Sequence, residues 1–216
     1  MTTGRNEQRK DPTGLVRSML AVLVAASMVP STASAQTNTM EKPSQQTSEK
    51  MIADWPEKSK EIAMKMIKQY GPPQAADAQH LQWHNNSPWK FTTVHREPVA
   101  HNFPMPHVDM LEQGISYSVP PDKFDDLARY DGSVAVRRTK GEMMAMCDKE
   151  EMNFLALNLA NDIVTGKSNV DQARQMYGKV AMAFMKGEKH AYTEKLSFTP
   201  PAAAKAGDPD KALPKK

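Results

Sequence analysis

Residues 133–164 read SVAVRRTKGEMMAMCDKEEMNFLALNLANDIV, and this one run carries both periods of regular structure. Val134 and Val136 alternate with other side chains up to Lys140-Gly141, a turn pair, and a second extended run follows from Glu142 to Cys147. That pattern predicts a β-hairpin over 133–147. From Asp148 the period lengthens to 3.6. Met152, Leu155, Ala156, Leu159, Ala160 and Ile163 fall on one helical face, and Phe154, Leu157 and Val164 cover a second. A helix apolar over so wide an arc is buried and central. Asp148 and Glu151 have the spacing of a capping box, and Gly166 closes the helix. A hairpin that feeds directly into a buried helix is an α+β arrangement.

Further helices flank this run. Pro56 fits a first helical position; Ile62, Ala63, Met66, Ile67 and Tyr70 form its stripe, and Gly71-Pro72-Pro73 ends it. Ser168 or Asn169 caps a last helix whose buried face is Val170, Ala173, Tyr177, Val180, Ala181 and Phe184, with Gly187 at its end. A short helix is expected over 122–130. Strands are expected over 81–84 and 89–95, around the turn Asn85-Asn86-Ser87-Pro88, and over 114–119 and 190–198, with a proline-rich loop from Pro98 to Pro106. The expected fold is therefore α+β: a small antiparallel sheet with about three main helices packed mainly on one face.

The ends differ from this centre. Arg5, Arg9, Lys10 and Arg17 precede an apolar run from Met19 to Val29, and Ala33-Ser34-Ala35 supplies a small-x-small cleavage site. Residues 1–35 thus read as a secretory signal peptide, because a spanning helix needs about 20 apolar residues. Residues 36–49 read as a polar, disordered leader, 50–198 as the single domain, and 199–216 as a disordered tail rich in Pro, Ala and Lys. The expected location is the periplasm or the medium, with no transmembrane segment in the mature chain.

Charge narrows the possible partners. The formal net charge is +3, yet between residues 50 and 198 nineteen bases face nineteen acids. A nucleic-acid binder needs a concentrated basic face, so no nucleic acid is expected. The sequence has one cysteine, so neither an intramolecular disulfide nor a multi-cysteine metal cluster can form.

The densest run of chemistry is His101-Asn102-Phe103-Pro104-Met105-Pro106-His107-Val108-Asp109. Histidine and aspartate are ligands for copper or zinc. His107 and Asp109 are a natural pair, because residues i and i+2 of an extended segment face the same way. A third ligand is expected from His101 or His95. A straight polyproline run at 3.1 Å per residue sets His101 roughly 18 Å from His107, so the two share an ion only if the loop turns sharply. Cys147 lies where a strand meets a helix start, which can activate a thiol, but Asp148, Glu150 and Glu151 surround it with negative charge. It reads as structural. Met64, Met66, Met176, Met182 and Met185 read as core filler. Trp55, Trp83 and Trp89 read as buried, although exposed tryptophans in an exported protein stack on sugars.

These features describe an exported, non-enzymatic domain that binds a partner protein or an envelope component. The alternative is a copper- or zinc-binding protein built on residues 101–109, and the third reading is a cysteine-dependent enzyme. Neither a phosphate-binding loop nor the motifs G-x-S-x-G and H-E-x-x-H occur in the sequence.

Overall fold

A computed structural model describes residues 43–214 of the chain. The signal peptide expected over 1–35 lies outside the described residues, as does the first half of the expected leader, 36–42. Six strands, β1 (Ala75–Ala76), β2 (His80–His84), β3 (Phe91–His101), β4 (His107–Ser116), β5 (Val134–Arg137) and β6 (Glu142–Cys147), pair antiparallel in the order β1-β2-β3-β4-β6-β5. The described residues also form seven helices: α1 (Gln45–Met51), α2 (Glu57–Tyr70), α3 (Phe124–Tyr130), α4 (Glu150–Val164), α5 (Val170–Met185), α6 (Ala191–Glu194) and α7 (Ala203–Ala206). The fold mixes helix and strand as expected, but the sheet is larger and the helices more numerous than the sequence suggested. Among the described residues no helix is long and apolar enough to cross a membrane.

The strand register sorts the side chains. Leu81 pairs with Val94, Val94 with Leu111, and Leu111 with Cys147, so these four form one row across the sheet. The row faces the helices. Leu81, Val94 and Leu111 join Trp83, Ile62 and Met66 in one apolar cluster, and Cys147 joins Ile115, Met143, Leu155 and Tyr177 in another. The alternate positions His80, Gln82, Phe91, Thr93, His95, Glu112 and Arg137 line an open groove. Trp55, Trp83 and Trp89 are all buried. So is Met66, whereas Met64, Met176, Met182 and Met185 are exposed, which corrects their reading as filler.

β3 runs straight through Pro98, where the sequence suggested that a loop begins. Proline has no N–H for the ladder, and a strand accommodates it at a bulge. Val94 pairs with Leu111 and Val99 with Asp109, so the four residues from His95 to Pro98 lie against Met110 alone. The bulge reverses the parity of the strand: even positions face the helices before it, and odd positions after it.

Other departures have local causes. The α4 helix begins at Glu150, and Lys149 takes the cap position without a side-chain bond. Asp148 is drawn instead to the Lys149 ammonium and the Cys147 thiol, so the expected capping box does not form. Residues 190–198 contain α6 rather than a strand. There Asn158 donates to the carbonyls of Tyr192 and Lys195 at 3.1 and 2.8 Å and accepts from Ser197 N–H at 2.7 Å, so this side chain takes backbone partners that a ladder would have used. Within the stretch read as leader, Ser44 caps α1. The stretch read as a loose tail is docked: Ala206 is fully buried, and Asp210 pairs with Arg138. Gly141, at φ +59°, makes room for that docking, because a Cβ there would lie 1.7 Å from the Ala206 carbonyl oxygen.

Candidate metal centre

His101 and His107 are direct cross-strand partners where β3 turns back into β4. The proline-containing loop reverses the chain, so the expected polyproline separation is replaced by a distance of 4.9 Å between ring centroids. Asp109 lies two positions beyond His107, on the same face of β4. The three side chains present ligand atoms that all lie within 4.8 Å of one another. His95 is not part of this group. It precedes the bulge, faces the open groove, and meets Glu112 at 3.2 Å and the His80 ring at 5.1 Å.

Helix α5 anchors the hairpin tip. The Arg174 guanidinium sits 3.9 Å over the Phe103 ring, and the Tyr177 ring lies 5.2 Å from it. Arg174 also donates to the carbonyls of Arg129 and Tyr130 at the end of α3. One arginine therefore ties the loop, α3 and α5 together.

His107 has one nitrogen hydrogen-bonded to an outer partner, and His101 turns one toward an outer carboxylate. His107 Nδ1 lies 2.8 Å from the Met105 carbonyl oxygen, which accepts its proton and directs Nε2 into the cluster, 3.0 Å from Asp109 Oδ1. His101 turns Nδ1 toward Asp109 Oδ2 at 3.1 Å and Nε2 toward Asp131 Oδ1 at 3.6 Å. Outer carbonyl and carboxylate partners of this kind fix the orientation of metal-ligating histidines. Asp131 is itself buried and held by the Ser133 N–H at 2.8 Å; burial raises its pKa.

Asp109 is 1% exposed. Ser133 Oγ donates to its Oδ2, but Oδ1 has no hydrogen-bonding partner. His107 Nε2 is close to Oδ1 without the alignment of a hydrogen bond. His107 faces Oδ1 and His101 faces Oδ2, and a buried carboxylate oxygen without a hydrogen bond is costly unless something positive lies beside it. Contact with Asp109, then with Cys147, raises the His107 pKa to about 11, so without an ion a proton occupies part of that space.

Cys147 is buried, and burial raises its thiol pKa. Its Sγ lies 3.6 Å from His107 Nε2. A nucleophile relay uses opposite ring nitrogens for acid and nucleophile. Here Asp109 and Cys147 both approach Nε2, so Asp109 is not the third member of such a relay, and burial outweighs the His107 contact in setting the thiol pKa.

The sequence pointed to His101, His107 and Asp109. It gave no sign of Asp131 or Ser133, because Asp131-Gly132 reads only as a turn. Comparisons with protein-family models, with curated proteins and with solved structures found no match.

Proposed function

We propose that the chain is an exported protein that binds a single transition-metal ion through His101, His107 and Asp109. The observation that carries this reading is the convergence of His101, His107 and Asp109, whose ligand atoms all lie within 4.8 Å of one another around a buried carboxylate oxygen, Oδ1, that has no hydrogen bond. Export rests on the sequence over 1–35. Partner proteins or envelope components remain compatible with a metal-binding role, as donors or recipients of the ion.

Calorimetry on mature protein without a chelating tag tests the proposal. One site per chain for Zn(II) or Cu(II) is expected, tighter than about 10 μM. The double variant His107→Ala, Asp109→Ala should lose that site, and His190→Ala should keep it. Absence of any site tighter than about 10 μM in the wild type overturns the proposal.

A further inference from the structure

We infer that Cys147 is the fourth ligand and that the ion is a divalent, zinc-class cation held in a closed tetrahedron of two histidines, one aspartate and one cysteine; this rests on the metal-binding reading above. The placement follows from the sheet. Cys147 pairs with Leu111, which lies two positions from Asp109 on the same face of β4, so the thiol and the carboxylate face the same helices. The separation also fits. A tetrahedral ion with a nitrogen at about 2.05 Å and a sulfur at about 2.3 Å sets those atoms about 3.6 Å apart. The distance from His107 Nε2 to Cys147 Sγ is 3.6 Å, while the thiol lies outside the group of three whose ligand atoms all fall within 4.8 Å, so the Cys147 side chain must swing inward to complete the set. The second observation is Asp109 Oδ1, buried, without a hydrogen bond, and facing only the His107 ring at 3.0 Å, a position that a metal ion can take over from the imidazolium proton.

The chemistry of the donors selects the ion. Two imidazoles, one carboxylate and one thiolate form a borderline set that suits zinc better than hard magnesium or calcium, which prefer oxygen throughout. A Cu(I) site would be expected to draw on sulfur alone or nearly so. Coordination replaces the thiol proton and the imidazolium proton with metal bonds, and both protons pass to solvent. Four protein ligands leave no open position for a water nucleophile, so the site holds or transfers an ion rather than performing hydrolysis.

Access is provided by a cavity of about 200 Å³ lined by Met105, His107, Cys147, Met152, Tyr177 and Met185. It reaches His107 and Cys147 beside α5. Three thioethers along this path offer weak, polarisable contacts to a passing ion without the charge that would trap it.

The test is cobalt substitution of the mature, reduced protein. Co(II) should bind one per chain and show tetrahedral d–d absorption together with a thiolate-to-cobalt charge-transfer band in the near ultraviolet. Zn(II) should displace it. Cys147→Ser should abolish the charge-transfer band, keep the fold by circular dichroism, and weaken Zn(II) binding at least tenfold. The wild-type spectrum decides the matter even if that variant fails to fold. Stoichiometric Co(II) binding without a charge-transfer band removes Cys147 from the ligand set and leaves the three-residue site standing. Tight binding of Cu(I) alone overturns the zinc-class assignment. No binding of Co(II), Zn(II) or copper overturns the parent proposal as well.

Discussion

Glu150 accepts the indole N–H of Trp89 at 2.7 Å, across a separation of 61 positions in the chain. The same carboxylate receives Gln113 Nε2 at 2.7 Å, Gln69 Nε2 at 2.6 Å and the Tyr70 hydroxyl. It stands in the first turn of α4, where the helix dipole favours a negative charge. It joins α2, the turn between β2 and β3, β4 and α4 at one point. Glu150→Ala strands several buried donors at once and should cost about 3–5 kcal/mol, whereas Glu150→Gln should cost about 1–2 kcal/mol, both read from urea midpoints. Equal, sub-kilocalorie losses in the two variants would show that the network is incidental.

The same network fixes the alkaline limit of stability. Burial, then the hydrogen bond to Glu150, raises the Tyr70 pKa well above its ordinary value. A folded-state pKa above the unfolded one means that the contribution is complete below about pH 10 and declines as pH rises beyond it. Tyr70→Phe should flatten the fall in stability above about pH 10 in denaturant titrations, and an unchanged slope would exclude Tyr70 as the cause.

At the metal centre, the partners behind the ligands should matter in graded fashion. Asp131→Asn keeps the shape but loses the carboxylate behind His101, and should weaken Zn(II) binding by about 10-fold or more. His95→Ala should leave affinity unchanged, because His95 faces the opposite side of the sheet beside Glu112. A large loss on His95→Ala would mean that the bulge does not sort the two histidines as described.

Metal affinity should rise with pH. The His107 pKa of about 11 means that a proton occupies Nε2 at neutral pH and must leave on coordination. Apparent affinity should therefore increase about tenfold per pH unit for each proton displaced, and calorimetry in buffers of different ionisation enthalpy should count those protons. In the empty protein the sign runs the other way. The His107–Asp109 contact contributes fully below about pH 6.5 and is lost as pH climbs toward 11.

Gly141→Ala should cost about 1 kcal/mol or more, because alanine is strained at φ +59° and its Cβ meets the Ala206 carbonyl. The docked C-terminal segment should then be trimmed faster in limited proteolysis. An unchanged digestion pattern would show that the segment does not depend on this contact.

Periodicity and punctuation made the three longest helices legible. The stripe from Ile62 to Tyr70, the broad apolar arc of α4 and the Asn169 cap of α5 are local features, decided within a few residues of themselves. The pairing of His107 with Asp109 was legible for the same reason, since a strand has period two. What the sequence hid was register. Nothing local in Pro98 says that four residues will oppose one, yet that bulge sends His95 and His101 to opposite faces. The expected distance between His101 and His107 failed because the prolines were read as stiffening a straight run. Phe103, clamped by Arg174 and Tyr177, instead marks a reversal whose anchor lies far away in sequence. Asp131 and Ser133 escaped notice because their roles exist only after β5 settles beside β6.

That clamp also dictates the order in which the centre can come into being. The ribosome makes His101, His107 and Asp109 well before it makes Arg174 and Tyr177. A nascent or truncated chain that ends before α5 therefore owns the donors but lacks the ring and the guanidinium that close the loop over them. Under the proposed function, the ion is received only by the finished domain, after its last long helix has docked.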